Sequence, residues 1–174
     1  MANIQREHRL IDSNKKGFYK YVGILDTELA NNVLIDVSTL AFALNANGKI
    51  MTSNTDPKQS YRIQVQRVWG TVGIPNGYLS LQWETTTPGT ANQEMAVITS
   101  EYFDFNMTDI SGLGGNLFNP ETNLANTSGN ILISTKGVTA NSNYTLFFQI
   151  TKEPADYDQG QTADPIAFNR NWAL

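Results

Sequence analysis

The feature that most constrains this chain is a two-residue alternation of apolar and polar side chains. It runs through Tyr61-Arg-Ile-Gln-Val-Gln66 and returns over residues 144–151, where one phase holds Tyr144, Leu146, Phe148 and Ile150. A strand with this period buries one face and leaves the other in solvent. No segment offers a helix of three turns, and turn signals such as Asn47-Gly48 separate the apolar runs. We therefore predict an all-β chain of eight or nine short strands, folded as a jelly-roll-like β-sandwich with extended N- and C-terminal arms.

The pattern also predicts two local details. The alternation slips by one residue at Arg67-Val-Trp69, which indicates a β-bulge or the end of a strand. Beyond a turn at Pro75-Asn-Gly77, a second alternating run places in one phase Leu79, Leu81 and Trp83. We predict that this run forms a hairpin with the strand that begins at Tyr61, and that Trp83 belongs to the core.

The two ends of the chain lack this periodicity. Residues 1–16 are polar and basic, and we predict an N-terminal arm that contacts neighbours through Arg6 and Arg9. The β-sandwich domain is expected over residues 17–152. Residues 153–174 are predicted to form a C-terminal docking tail, because an acidic stretch there is followed by three large apolar side chains, Ile166, Phe168 and Trp172. A tail in solvent gains nothing from such residues.

Phe147 lies in the outward phase of the last predicted strand. A large aromatic side chain at an outward position indicates that this face is covered too, by a second layer or by a partner subunit. We therefore predict Phe147 as a further interface residue.

The composition narrows the possible functions. Charged residues make up 16% of the chain, where about a quarter is typical of soluble domains. The net charge of −4 gives no general attraction to nucleic acid or to anionic membranes. There is no cysteine, and therefore no disulfide and no thiolate site. No apolar run approaches the ~20 residues that span a bilayer, and the first residues do not form a secretion signal. We expect a protein made in the cytosol that binds neither nucleic acid nor membrane.

Residues that carry chemistry are sparse. His8 is the only histidine, so a Ser-His-acid triad or a histidine metal site has little to build on. Glu84 and Glu94 flank a Pro-Gly loop, but nothing in the sequence requires them to face each other. The acidic residues Asp156 and Asp158 lack the spacing of a calcium loop. We predict that the chain is not an enzyme and uses no metal or cofactor.

Aromatic residues leave a second interpretation open. Trp69, Tyr78 and Tyr102 would suit a sugar-binding platform, because aromatic faces stack on pyranose rings. The competing interpretation places Trp69 at the end of the sandwich, where it would close the core. The basic residues near these aromatics, Arg62 and Arg67, are too few for a nucleic-acid site.

Several segments carry a resemblance to a known group of proteins. They are Tyr61-Arg-Ile-Gln-Val-Gln-Arg-Val-Trp69, Gly77-Tyr-Leu-Ser-Leu-Gln-Trp83, Phe103-Asp-Phe105 with the glycine-rich loop after it, Gly129-Asn-Ile-Leu-Ile-Ser-Thr-Lys-Gly137 and Asn143-Tyr-Thr-Leu-Phe-Phe-Gln-Ile-Thr-Lys152. In this order they resemble small virion structural proteins of tailed bacteriophages, in particular those of cyanophages and other marine phages. The resemblance covers residues 60–152.

The resemblance implies a sandwich fold and a role in particle assembly, and it carries over no catalytic residue. Several proteins of this kind are capsid decoration (cement) proteins, and others belong to the neck or tail. We therefore expect a non-enzymatic virion protein that binds the outer shell of a phage head. It would form a homotrimer in contact with the major capsid protein or other virion proteins. The alternative is a receptor- or carbohydrate-binding module of a phage tail or neck, which would use Trp69, Tyr78 and Tyr102.

Overall fold

Ten β-strands in two antiparallel sheets form most of the computed structural model, which describes residues 2–52, 56–99, 101–107 and 117–160. The strands are β1 (Ile4–Asp12), β2 (Lys16–Leu25), β3 (Asn32–Ile35), β4 (Ile63–Gly73), β5 (Tyr78–Thr85), β6 (Gln93–Ile98), β7 (Tyr102–Asn106), β8 (Leu117–Phe118), β9 (Thr127–Lys136) and β10 (Ser142–Lys152). Single-turn 3-10 helices lie at Val37–Thr39 and Leu124–Asn126.

The strand order joins segments that are far apart in the chain. One sheet, which we call sheet A, has the order β1-β2-β10-β4-β7, and the short β8 also pairs with β4. The other, sheet B, has the order β3-β9-β5-β6. Neighbouring strands in both sheets are antiparallel. The predicted all-β sandwich is confirmed.

The core fills the space between the two sheets. Sheet A contributes alternate residues of its central strands, among them Tyr19, Tyr21, Leu146, Phe148 and Ile150. Sheet B contributes the inward phase of β5, where Trp83 is 1% exposed, as its predicted core position requires. Burying a large apolar side chain contributes about 1.5–3 kcal/mol, so the alternating pattern decides which face of each strand turns inward.

β4 contains the bulge that the slipped phase predicts. In its pairing with β10, Arg67 lies opposite Gln149 and Val65 lies opposite Ile150, so Gln66 has no counterpart within these two fully described strands. Because of the extra residue, the core-facing positions of β4 are odd-numbered before the bulge, as at Val65, and even-numbered after it, as at Val68. Trp69 therefore turns to the outer side of sheet A and does not close the end of the core.

The predicted hairpin across residues 75–77 is wrong. The turn itself forms, with the Gly77 amide donating to the Ile74 carbonyl at 3.2 Å. It carries the chain from β4 in sheet A to β5 in sheet B, and β5 forms its hairpin with β6 instead. The alternating pattern specifies which side of a strand is buried, but it does not specify which strand lies beside it. A turn between two sheets therefore resembles a hairpin in the sequence.

The N-terminal segment, expected as an arm over residues 1–16, contains a strand of sheet A. β1 pairs with β2, from Ile4 opposite Ile24 to Asp12 opposite Gly17, and forms one edge of the sheet. None of its nine residues, all of which the structure describes, is buried. The sequence shows no apolar period there because backbone hydrogen bonds to β2 and polar side-chain contacts, and not apolar burial, hold this strand.

The domain continues past the expected boundary at residue 152. Tyr157 is fully buried, and its hydroxyl donates a hydrogen bond to the Val37 carbonyl at 2.8 Å. The predicted tail anchors lie outside the described residues and stay predictions: Ile166, Phe168 and Trp172. In the described parts of the chain, no helix is long and apolar enough to cross a membrane.

Candidate interaction face

The two glutamates that flank the Pro-Gly loop do not form a facing pair. Glu84 accepts hydrogen bonds from the Ser128 hydroxyl and from the Asn130 amide, the latter at 2.9 Å. Glu94 lies opposite Gln82 and not opposite Glu84. Within the ranges that the structure describes, no group of three His, Cys, Asp or Glu side chains could hold a metal ion. The hydrogen bonds of Glu84 therefore account for its position, and Glu94 does not lie opposite it.

The side of sheet A that is turned away from the core, which we call the outer face, is the most distinctive surface of the described chain. The cross-strand register arranges its side chains in rows. The central row runs from β1 to β7 through His8, Lys20, Phe147, Trp69 and Asp104. The row on one side contains Arg6, Val22, Thr145, Thr71 and Tyr102. The row on the other side contains Ile11, Phe18, Gln149, Arg67 and Asn106.

Three aromatic rings from adjacent strands form a cluster at the centre of the outer face. The Trp69 ring centroid lies 5.5 Å from that of Phe18 and 5.4 Å from that of Phe147, with interplanar angles of 19° and 11°. The centroids of Phe18 and Phe147 are 6.1 Å apart. Such distances and small angles are typical of offset-stacked rings, each pair of which contributes roughly 0.5–1.5 kcal/mol beyond the burial itself. All three rings remain partly exposed, so the cluster presents an ordered apolar surface to solvent.

Cations flank this aromatic cluster. The guanidinium carbon of Arg67 lies 4.7 Å from the centroid of the Trp69 ring, and Nζ of Lys20 lies 5.7 Å from that of Phe147. Both distances are within the roughly 6 Å over which a cation is attracted to a ring face. Arg67 also donates two hydrogen bonds to Asp104, at 2.9 and 2.5 Å, and these hold the pKa of that carboxyl below its ordinary value.

Exposed apolar side chains extend the surface around the cluster. Ile4 and Ile24 lie opposite each other on β1 and β2, and both are exposed. Tyr102 on β7 is also exposed, opposite Thr71 of β4. Large exposed apolar patches rimmed by polar residues are typical of surfaces that contact another molecule.

The structure brings some of the predicted site residues together and separates others. Phe147, Trp69 and Arg6 share the outer face, and Tyr102 lies at its β7 edge. Arg9 lies opposite Tyr19 and contacts Thr39, with its guanidinium 2.8 Å from the Thr39 carbonyl. Tyr78 belongs to β5 of sheet B, so it does not lie with Trp69 and Tyr102.

Phe18 and Lys20 are members of the outer face that were not predicted as site residues. Their outward phase in β2 is visible in the sequence. Their position beside Phe147 is not, because it depends on the pairing of β2 with β10 at the other end of the chain.

A buried charged group lies where β1 and β10 end and β2 begins. The Lys152 ammonium donates hydrogen bonds to Asp12, to the Ser13 carbonyl and to the Ala41 carbonyl, the last two at 2.8 Å. The Tyr19 hydroxyl donates to the same Asp12 carboxylate at 2.9 Å. Burial lowers the pKa of Lys152, and Asp12 opposes that change. Since each ammonium hydrogen has an acceptor, this group serves to join the strands.

Comparisons with protein-family models, with curated proteins and with solved structures found no match to this chain.

Proposed function

We propose that this protein is a non-enzymatic structural subunit of a virus particle, of the capsid decoration type, that assembles with copies of itself through the outer face. In this proposal the chain is located in the virion, forms a homotrimer and contacts the major capsid protein or other virion proteins. The observation that carries the proposal is the partly exposed cluster of Phe18, Trp69 and Phe147 with its flanking cations. Aromatic residues and arginine are enriched in the cores of protein–protein interfaces.

The strand order supports the same function. Without the edge strand β1 and the short β8, the sheets have the orders β2-β10-β4-β7 and β3-β9-β5-β6. Eight strands in two four-stranded sheets, with the chain crossing repeatedly between them, fit a jelly roll, an architecture found in viral capsid proteins and in lectins. The resemblance of residues 60–152 to phage virion proteins points the same way. A fold is shared by many functions, so this agreement counts only together with the surface.

The charge of the outer face favours contact with a different surface of the next copy. Arg6, Lys20 and Arg67 outnumber Asp104 there, whereas the chain as a whole has a net charge of −4. Most of the acidic residues therefore lie away from this face. An interface between two different surfaces is heterologous, and it generates a ring such as a trimer when the rotation closes. Opposite charges across the contact would steer association, and salt would weaken it.

Absolute mass in solution, from light scattering on a sizing column, tests the self-association. At low salt we expect three times the 19.3 kDa of one chain. Raising the ionic strength from about 0.01 M to about 1 M shortens the Debye length from roughly 30 Å to roughly 3 Å and should shift the mass toward the monomer. Phe147→Ser should produce the same shift, because it removes the ring at the centre of the outer face.

Tyr78→Ser is the matched control for that variant. It removes a partly exposed aromatic ring from sheet B and should leave the trimer intact. Circular dichroism and thermal unfolding establish that both variants remain folded. A monomer under all conditions, or a trimer that Phe147→Ser leaves unchanged, would contradict assembly through the outer face.

Co-expression with the major capsid protein of the same genome tests the role on the particle. The chain should sediment with assembled shells, and Phe147→Ser should reduce the amount bound. Shells that form normally but carry none of the protein would contradict the decoration role.

A carbohydrate ligand on the outer face has less support. The Trp69 ring already contacts Phe18, Phe147 and Arg67, and Tyr78 lies in the other sheet. A pyranose would have to compete with these contacts to stack on the indole. The receptor- or carbohydrate-binding alternative is therefore not proposed for this surface.

A further inference from the structure

Residues 164–174, which we call the tail segment, carry a two-residue alternation of their own. One phase contains only proline, alanine and asparagine, and the other phase holds Asp164, Ile166, Phe168, Arg170, Trp172 and Leu174. In an extended conformation, such an alternation places every large side chain on one side of the segment. Pro165 favours that conformation, because its ring disfavours a helical backbone at the residue before it. The tail segment can therefore present one apolar side that also bears a carboxylate and a guanidinium.

The central row of the outer face carries groups in the complementary order. From β1 to β7 this row contains His8, Lys20, Phe147, Trp69 and Asp104. It therefore has a cation near one end, two aromatic rings in the middle and a carboxylate at the other end. The tail segment has, in sequence order, the carboxylate of Asp164, two apolar side chains and the guanidinium of Arg170. Opposite charges and apolar groups would meet if the two rows were aligned in this direction.

The lengths of the two rows agree as well. Side chains of one phase repeat about every 6.6 Å along an extended chain, so Asp164 and Arg170 would lie about 20 Å apart. Adjacent strands lie about 4.8 Å apart, and the order of sheet A puts β7 about 19 Å from β1. A tail segment lying across the strands could therefore match both charged ends at once. The reverse direction would place Asp164 against Asp104, and like charges would oppose it.

The tail segment of the same chain is too short to take this position. The side-chain amide of Gln159 donates to the carbonyl of Asn14 at 2.8 Å, so the chain leaves the domain at the turn between β1 and β2. His8 lies about 13 Å before the end of β1, and Asn14 lies beyond that end. From residue 160 to Asp164 the chain covers at most about 14 Å. No length remains for the path around the turn to the outer face, so another copy must supply the tail segment.

We propose that the tail segment of one copy lies across the outer face of the next copy, with Phe168 against the aromatic cluster. Asp164 then faces Lys20, and Arg170 faces Asp104. This contact rests on the proposed self-assembly and names the part of the next copy that the outer face receives. Because each copy gives one tail segment and receives another, the contact is heterologous and can close a ring. Partly exposed rings at its centre would become buried, as is typical of interface residues that dominate binding.

A nitroxide on the tail segment tests the contact between copies. The chain contains no cysteine, so Asn169→Cys gives a single attachment site, in the phase that points away from the proposed contact. Unlabelled copies with the nitroxide are mixed at high salt with nitrogen-15-labelled copies that lack it, and the salt is then lowered. In the proton–nitrogen spectrum of the labelled copies, the Trp69 indole signal should lose most of its intensity. The signal of Trp83, which is buried in the core, should lose much less.

A charge exchange tests the direction of the tail segment. Asp164→Lys should weaken assembly roughly two- to fivefold, because it places a cation opposite Lys20. Glu94→Lys is the matched control, since it makes the same change of charge at an exposed position of sheet B and should have no effect. Lys20→Asp should also weaken assembly, and combining it with Asp164→Lys should recover part of the loss. Light scattering over a dilution series measures all four variants.

Three results would overturn this contact and leave assembly through the outer face standing. The first is a trimer in which mixed copies leave the Trp69 signal unchanged. The second is a trimer in which that signal weakens only when the nitroxide and the isotope are in the same copy. The third is an equal loss of assembly in Asp164→Lys and Glu94→Lys. A monomer under all conditions would instead contradict the assembly itself, and this contact with it.

Discussion

Lys152 is the most deeply buried charged side chain that the structure describes, and its surroundings explain how the charge is tolerated. Three acceptors surround the ammonium: the Asp12 carboxylate and the carbonyls of Ser13 and Ala41. The residue looks like a surface lysine in the sequence, since its place at the end of β10 gives no sign of the carboxylate that β1 brings to it. A buried ion pair that spans both ends of a chain cannot be predicted without the pairing of the strands.

Replacing Lys152 by methionine should lower the free energy of unfolding by roughly 3–5 kcal/mol, because it leaves the Asp12 charge in a buried site without its cation. Urea unfolding measures the change. Lys136→Met is the control, since Lys136 forms an exposed pair with Glu28, and solvent screening leaves such a pair little effect on stability. Equal losses in the two variants would show that burial of the pair does not matter.

Asp156 couples stability to pH. Burial alone would raise the pKa of its carboxyl, but hydrogen bonds from Arg62 and Lys58 outweigh this effect and hold the pKa below its ordinary value of 3.8. A carboxyl with a lowered pKa in the folded state stabilises fully above its unfolded-state pKa. That stabilisation is lost as the pH falls through the folded-state pKa. Asp156→Asn should therefore lower the free energy of unfolding at neutral pH and reduce its loss below pH 3.8.

Urea unfolding over a series of pH values measures both effects of Asp156→Asn. Asp104→Asn is the comparison, because Asp104 also has a lowered pKa beside an arginine but lies at the surface, where screening weakens the pair. Its effect should be the smaller of the two. If the Asp156→Asn curve runs parallel to that of the wild type below neutral pH, this carboxyl is not the source of the acid sensitivity.

Strands with one buried face are the elements that the sequence predicts best. β2 and β10 alternate strictly between buried and less buried residues, and β5 departs from this only at the buried Ser80 over its first six residues. The phase slip predicted at Arg67-Val-Trp69 lies next to the bulge at Gln66. β1 gives no such signal, because neither of its faces is buried and it is held by backbone pairing with β2 and by polar side chains such as Asp12. An apolar alternation arises where one face of a strand contacts the core. An edge strand without such a contact therefore shows no alternation in the sequence.

Amide hydrogen exchange distinguishes a β1 strand from a free arm. As an edge strand, β1 should show protection at every second amide, because only alternate N–H groups point toward β2. β10 lies between two strands and should be protected at successive amides. Uniformly fast exchange over residues 4–12, with β10 protected, would contradict the strand.

The outer face shows why individual site residues are easier to predict than the site itself. The outward positions of Phe147 and Trp69 follow from local pattern and from the bulge. Their contact with Phe18 depends on β10 lying between β2 and β4, which is a property of the complete strand order.

Two shortened chains test where the folded domain ends. A chain that ends at Gly160 should keep its free energy of unfolding within about 0.5 kcal/mol, since the contacts of Asp156 and Tyr157 remain. It should assemble less readily, because it lacks the predicted anchors Phe168 and Trp172. A chain that ends at Lys152 also loses the buried Tyr157 ring and should be less stable by roughly 3–5 kcal/mol. Chemical unfolding and light scattering measure the two effects, and equal stabilities would place the boundary back at residue 152.

The central position of β10 in sheet A has a consequence for the synthesis of the protein. Until residues 142–152 have left the ribosome, β2 has only β1 beside it and lacks the strand that connects it to β4. At roughly 5–20 residues per second, the strands made first wait several seconds with an open edge. Sheet A therefore closes in one late step that joins distant segments, and a nascent chain interrupted before β10 would expose that edge to other chains.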